Sequence, residues 1–364
     1  MIAYSGELDR QKQAADIMEK YMAQEGLKLT HLIGPKTEHK YEPETKKELD
    51  QKFSRIVSVH PRSGFLPEVK FTTYTLRYNS NGWIRVDELE RHWERAHVEG
   101  RMAKSNGVMY VSTTNVARLT LTVAPGNHWG AMSGFTGIVV DGVRVRNVLQ
   151  SNRVYHYPHS VTLRKTGKAW KLADDDRGEQ RKHNGLQGPI DDAFMDSFVV
   201  VRPTGKPMNA TAHAWIDDEL AHATNEWRNQ FRGDAIVKAD TEISDEDIAN
   251  NHLILWGDPQ SNRVLGRIAR KLPARWSGES IRMAGKKFAA DRFVPVFIFP
   301  NPLNPKRYVV VNSGFTFCEY GRSSNALQIP KLPDYAVMDT TVDRKSRYAN
   351  GVALAGFFDE TWDL

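Results

Sequence analysis

Ile2-Ala3-Tyr4-Ser5-Gly6-Glu7-Leu8-Asp9 and Ile33-Gly34-Pro35-Lys36-Thr37-Glu38-His39 frame the first part of the sequence. How these two stretches are read decides its fold. The first is a short strand. Beyond it Ala14, Ile17, Met18, Tyr21 and Met22 recur at helical spacing, and Gly26 is a natural stop. Leu27 to Ile33 alternates apolar and polar residues, the pattern of a half-buried strand, and Gly34-Pro35 breaks it. A second helix is expected from Glu42-Pro43-Glu44, with Pro43 in its first turn and carboxylates at the positive end of the helix dipole. Leu49, Phe53 and Ile56 give that helix one apolar face. Strand, helix, strand, helix is the order of a parallel α/β sheet, assigned to residues 1–61.

Past Pro61 the texture changes. Lys70 to Tyr78, Val108 to Thr113, Ala117 to Val123, Gly137 to Val145 and Ser160 to Lys165 are short β-rich runs. Turn signals at Asn81-Gly82, Asp141-Gly142 and Thr166-Gly167 separate them, so residues 62–187 are expected to form a β-sandwich. Asp141-Gly142 between two valine-rich triplets is the clearest hairpin. Asp87 to Gly100 fits a helix through Leu89, His92, Trp93, Ala96 and His97, and fits strand-turn-strand as well. In residues 188–364 the α/β texture returns, as a C-terminal layer domain. A helix is expected over Asp217 to Phe231 and another over Asn262 to Leu272. Strands are expected at Phe198 to Val201, Asp234 to Val237, Leu253 to Trp256, Val294 to Phe299 and Tyr308 to Val311.

Composition narrows the function classes. The chain has 364 residues, 40% hydrophobic and 26% charged, which excludes disordered and collagen-like classes. No apolar run reaches the ~18 residues of a spanning helix, so no membrane partner is expected. The first residues lack a basic stretch followed by an apolar one, so no signal peptide is visible and localisation stays open. A single cysteine, Cys318, excludes an internal disulfide and a Cys-rich zinc site. The net charge of +6 is spread among interspersed signs, which gives no footprint for nucleic acid.

Asp9 lies just past the carboxyl end of the first strand and His39 just past that of the second. Parallel strands joined by a helix put both loops on one edge of the sheet, where α/β sites assemble. A carboxylate there accepts the imidazole N–H, fixes its tautomer and stabilises the imidazolium during proton transfer. In sequence terms alone, an ordinary strand-end acid and a surface histidine account for the same residues.

These stretches, with the helix start Gln11-Lys12-Gln13-Ala14-Ala15, resemble the closing segments of prolyl-oligopeptidase-type α/β-hydrolases. The resemblance spans residues 1–61 directly. Gly185-Leu186-Gln187-Gly188-Pro189-Ile190-Asp191-Asp192-Ala193-Phe194 is similar to a C-terminal region of some bacterial members. It implies the last β-α units of an α/β-hydrolase, then the β-sandwich, then the α/β layer domain. It also implies that Asp9 and His39 are the acid and base of a catalytic triad that cleaves peptide or ester bonds, without a cofactor or metal. The family's Gly-x-Ser-x-Gly elbow occurs nowhere in the chain. Gly130-Ala131-Met132-Ser133-Gly134 is the nearest imitation, with its serine one place late. The implied protein is therefore inactive alone, and its implied partner is the missing N-terminal hydrolase part. The alternative is a non-catalytic module that binds glycan or protein.

Other motifs have plainer readings. His156-Tyr157-Pro158-His159 lacks the acidic or Cys partners of a metal site, and His92 and His97 make no better case. Leu253 to Asn262 is a strand, a tight loop and a helix start without a phosphate-binding glycine motif, and Ser261 or Asn262 reads as a cap. Arg263, Arg267 and Arg270 form a stripe that a solvated helix face explains. Trp83, Trp93, Trp129 and Trp170 could stack on sugars or fill a core. Asp191, Asp192, Asp196 and Ser197 could order a loop or face the hydrolase cleft.

Overall fold

The computed structural model describes residues 1–59, 67–103, 107–123, 136–146, 159–173, 180–317, 319 and 327–364. Trp129, the Gly130 to Gly134 stretch, His156 to Pro158 and Cys318 lie outside the described residues. The chain is mixed α/β with several sheets and divides into two compact units, Met1–Leu66 and Pro67–Leu364.

The first unit holds β1 (Ile2–Gly6), α1 (Lys12–Gln24), β2 (Thr30–Gly34) and α2 (Pro43–Val59). The strands pair in parallel, with Ile2 opposite Thr30 and Gly6 opposite Gly34. The ends of α1 and α2 follow from local chemistry. At the end of α1, Gly26 adopts a φ of +69° and the Leu27 N–H closes back onto the Met22 carbonyl at 2.9 Å. At the start of α2 the Glu42 carboxylate accepts from the Thr45 N–H at 2.7 Å and the Glu44 N–H at 3.1 Å, filling the capping place that a shorter acid usually takes. Of the expected apolar face of α2 only Leu49 is buried, while Phe53 and Ile56 are exposed.

The second unit begins with two five-stranded sheets. Their strands are β3 (Glu68–Thr73), β4 (Ser80–Asn81), β5 (Ile84–Leu89), β6 (Ala96–Ala103), β7 (Val108–Thr114), β8 (Val116–Val123), β9 (Gly137–Val140), β10 (Val143–Arg144), β11 (His159–Thr166) and β12 (Ala169–Leu172). One sheet runs β10-β9-β7-β6-β3 and the other β12-β11-β8-β5-β4. Asp87 to Gly100 resolves into strand, turn and strand. Period-two alternation wins there because every second residue of β6, from Ala96 through Val98 and Gly100 to Met102, is buried. Gly100 marks a close approach of the two sheets: a Cβ at that position would lie 2.5 Å from both Ile84 and Trp83. Asp141-Gly142 forms the β9–β10 turn with positive φ at both residues, as a two-residue hairpin requires.

The rest of this unit is built on a seven-stranded sheet ordered β14-β13-β15-β20-β19-β21-β22. Its elements are β13 (Phe198–Arg202), α3 (Ala210–Phe231), β14 (Val237–Ala239), α4 (Asp245–Asn250), β15 (His252–Leu255) and α5 (Arg263–Ile268). A three-stranded excursion, β16 (Arg275–Trp276), β17 (Ser280–Met283) and β18 (Lys286–Ala289), comes next. The chain then returns through β19 (Phe293–Asn301), β20 (Asn304–Val311), β21 (Tyr335–Asp339), α6 (Arg347–Asn350) and β22 (Val352–Gly356). β14, β13, β15 and β20 run in parallel, while β19, β21 and β22 are antiparallel to their neighbours. Leu253, Leu255 and Val309 to Val311 have no solvent exposure, as their continuous apolar runs predict. α3 starts earlier than its apolar pattern, because the Asn209 side chain caps it by accepting from the Thr211 and Ala212 N–H groups. No helix among the described residues is long and apolar enough to cross a membrane.

Candidate active site

The parallel pairing of β1 and β2 carries both of their following loops to one edge of the sheet. There His39 Nδ1 stands 2.8 Å from Asp9 Oδ2. The other Asp9 oxygen accepts from the Gln11 N–H at 2.8 Å. That backbone hydrogen bond, and then the one from His39, hold the Asp9 carboxyl below its usual range. The Asp9 side chain is 12% exposed and the His39 ring 79%. An ionised carboxylate can only accept, so Nδ1 is the donor of this bond, and the neutral form of the ring carries its lone pair on Nε2. The pair is chemically equipped to take up a proton at Nε2 and to stabilise the resulting imidazolium.

The loop that carries His39 is tied down from several directions. The Lys36 N–H donates to Glu7 Oε2 at 2.8 Å, and the Leu8 N–H donates to the Thr37 carbonyl at 2.9 Å. The Thr37 hydroxyl donates to the Gly34 carbonyl at 2.8 Å. Gly6 lets this loop lie against β1, since a Cβ there would sit 2.1 Å from the Glu38 carbonyl oxygen.

A second histidine cluster in this unit escaped sequence reasoning. His31 Nε2 is 3.0 Å from Ser5 Oγ, and His31 Nδ1 is 3.7 Å from both Asp16 Oδ1 and Glu19 Oε2. The residue types match a nucleophile, a base and an acid. Burial decides against that use: Ser5 is 7% exposed and the His31 ring 5%, so no substrate reaches the hydroxyl. The cluster joins β1, β2 and α1.

The second unit holds a further polar cluster, where α3 and the segment at Glu319 meet α6. Glu319 accepts from His222 Nε2 at 2.9 Å, Tyr348 Oη at 2.6 Å and Arg347 at 3.3 Å. Burial alone would raise the Glu319 carboxyl, but these partners together hold it below its ordinary range. Arg347 also binds Glu219, which Arg344 reaches at 3.0 Å. Every acid named here has a cation or hydroxyl partner, and the arrangement locks α3 to α6.

The remaining sequence candidates fall into structural places. Trp83 and Trp170 are 6% and 3% exposed and fill the core, one of the two readings open to them, while the half-buried Trp93 packs its ring 5.5 Å from Phe357. His92 donates to Glu360 at 2.8 Å and His97 pairs with Thr72 and Glu99. Among the described residues, no three His, Cys, Asp or Glu side chains gather as metal ligands would. The start of α5 is filled: Asn262 Oδ1 accepts from the Val264 and Leu265 N–H groups, and Asp240 takes the Arg263 N–H. Those contacts occupy the donors that a phosphate would need. Arg263, Arg267 and Arg270 are exposed. Asp191 accepts from Thr316 and from the Phe317 N–H, Asp192 from Tyr308, and Asp196 from Arg307, which orders loops as their residue types suggest.

No protein-family profile matches this sequence, and comparisons with curated proteins and with solved structures return no match.

Proposed function

We propose that this chain is the C-terminal part of a prolyl-oligopeptidase-type serine hydrolase. On this reading residues 1–61 are the last β-α units of its α/β-hydrolase core, followed by a β-sandwich and an α/β layer domain. The hydrolase cleaves a peptide or ester bond through an acyl-enzyme. His39 Nε2 takes the proton of the attacking serine and returns it to the leaving group. Asp9 holds Nδ1–H, which sets the tautomer and stabilises the imidazolium without being protonated itself. This chemistry calls for no cofactor. The serine and its elbow belong to a separate, N-terminal α/β part, because no Gly-x-Ser-x-Gly occurs in these 364 residues.

The observation that carries the reading is the 2.8 Å contact between Asp9 and His39 on adjacent parallel crossover loops. A fluorophosphonate probe tests it. The isolated chain should not be labelled. Mixing it with a polypeptide that bears the Gly-x-Ser-x-Gly half of such a hydrolase should produce labelling of that serine, and His39→Ala should abolish it. Stoichiometric labelling of the isolated chain, or full labelling of the mixture with His39→Ala, would overturn the proposal.

A further inference from the structure

We propose that the Tyr4 hydroxyl positions His39 against Asp9. The inference rests on the reading of those two residues as an acid–base pair. A ring that is 79% exposed gains little from packing, so the backbone that bears it sets its direction. Tyr4 grips that backbone just beyond His39. Its hydroxyl donates to the Lys40 carbonyl at 3.0 Å and accepts from the Glu42 N–H at 2.7 Å. Tyr4 stands on β1, the strand whose end leads into Asp9. One strand therefore holds both the acid and the loop that carries the base.

Two further features are built around this hydroxyl. Gly34 leaves it room, for a Cβ at that position would lie 2.1 Å from Tyr4 Oη. The Tyr41 ring lies 4.7 Å from the Tyr4 ring and covers it. Glu42, which the hydroxyl holds through its N–H, also caps α2 with its carboxylate. The hydroxyl thus ties the His39 loop to the start of that helix. The Glu7 tether on the other side of the loop comes from an exposed side chain with more freedom to move.

The test is nitrogen-15 spectroscopy of the His39 imidazole in the full chain, at about pH 8.5 where an ordinary imidazole is neutral. An unrestrained ring favours the Nε2–H tautomer, whereas a ring that donates to Asp9 shows Nδ1–H. Wild type should show Nδ1–H, and Asp9→Ala should lose it. Tyr4→Phe, which keeps the ring and removes only the hydroxyl, should also lose it, with Glu42 amide exchange roughly fivefold faster. Tyr41→Leu removes the ring contact, spares the hydroxyl bonds and should retain Nδ1–H. Amide signals of the β1–β2 ladder report whether each variant is folded. Retention of Nδ1–H in folded Tyr4→Phe, or its loss in Tyr41→Leu alone, overturns the role of the hydroxyl and leaves the acid–base pair standing. An Nε2–H signature in wild type overturns the pair itself, and the positioning role with it.

Discussion

Lys182 Nζ lies 2.7 Å from Asp334 Oδ2, and both side chains are completely shielded from solvent. The ammonium also donates to the Phe358 carbonyl at 2.9 Å and sits 5.1 Å from the centre of the Trp362 ring. The same Asp334 oxygen accepts from the Phe358 N–H at 3.1 Å. The pair thereby fastens three distant parts of the second unit: the segment after the five-stranded sheets, the entry to β21 and the C-terminal tail. Burial raises the Asp334 carboxyl, and the Lys182 charge opposes that rise.

Such a pair is expensive to break from one side. Lys182→Met leaves a carboxylate in an apolar place without its cation, a loss of roughly 3–5 kcal/mol. Replacing both partners, as Lys182→Met with Asp334→Leu, should restore much of that loss, because no lone charge then remains. Urea unfolding followed at the tryptophans measures the difference. Equal midpoints for the single and double variants would show that the charge is not the issue.

Asp192 supplies a pH dependence of unusual sign for an acid that bears an ion pair. Its side chain is 5% exposed, and burial pushes the carboxyl up to about 6 from the ordinary 3.8, against the Tyr308 hydrogen bond and the Arg77 charge 3.4 Å away. A raised value means that the folded chain binds the proton more tightly than the unfolded chain does. The group's contribution is therefore fully favourable below about pH 4 and is lost as pH rises through about 6. At neutral pH the buried charge costs at most about 3 kcal/mol, at ~1.4 kcal/mol per tenfold change in proton affinity. Asp192→Asn should accordingly be more stable than wild type at pH 7, with the gap closing toward pH 4. Denaturation midpoints across that range give the answer, and a gap that widens on acidification would reverse the assignment.

The Asn262 side chain makes four hydrogen bonds while the residue has no solvent exposure. Its oxygen caps α5 through the Val264 and Leu265 N–H groups, and its amide donates to the Trp256 and Val201 carbonyls. Asn262→Ala should cost about 3 kcal/mol, combining a lost cap of ~1 kcal/mol with the penalty for a buried carbonyl left unpaired. Asn262→Asp keeps the cap but sets a buried, uncompensated carboxylate against the Trp256 and Val201 carbonyl oxygens, and should cost at least as much as Ala. Thermal unfolding of the three proteins ranks them, and an Ala variant within 0.5 kcal/mol or so of wild type would mean that water replaces the side chain without penalty.

Sequence periodicity was enough for the elements whose pattern is local. Gly26, Pro43 and Asp141-Gly142 punctuate the chain where their backbone preferences require. The parallel order of β1 and β2 followed from the intervening helix, and with it the shared edge of Asp9 and His39. What stayed hidden depends on distant contacts. His92 lies in a stretch that fits a helix and strand-turn-strand alike, and its partner Glu360 is far away in sequence. Lys182 looks like any surface lysine, because only tertiary structure brings Asp334 and Phe358 around it. Trp83 and Trp170 are indistinguishable from ligand platforms by composition, and which face of a sheet they occupy depends on register. Ser5 and His31 were hidden for a related reason: their meeting joins β1 to its neighbour through side chains, which pairing order alone does not show.

Gly6 gives the sharpest handle on the candidate site without touching either of its side chains. It ends β1 opposite Gly34, three residues before Asp9. A Cβ on it would come within 2.1 Å of the Glu38 carbonyl oxygen and 2.5 Å of the Thr37 carbonyl oxygen. Both obstacles are backbone, so the loop must move as a whole rather than a side chain swinging aside. The Leu8 N–H bond to the Thr37 carbonyl, 2.9 Å long, lies directly in the path of that shift. Gly6→Ala should therefore break this bond and carry His39 away from Asp9, at a cost of roughly 1–3 kcal/mol typical of overpacking. The β1–β2 ladder up to Ser5 should survive, because the clash falls beyond it. Amide exchange distinguishes these regions: Leu8 should lose protection while Tyr4 and Ile33 keep theirs. In the reconstituted hydrolase the same variant should lower kcat/KM by at least ~10²-fold, since an angstrom of misplacement is enough to spoil proton transfer. Unchanged protection at Leu8 would mean that the loop tolerates the methyl group, and the close fit of β1 against the His39 loop would then have no part in holding the pair together.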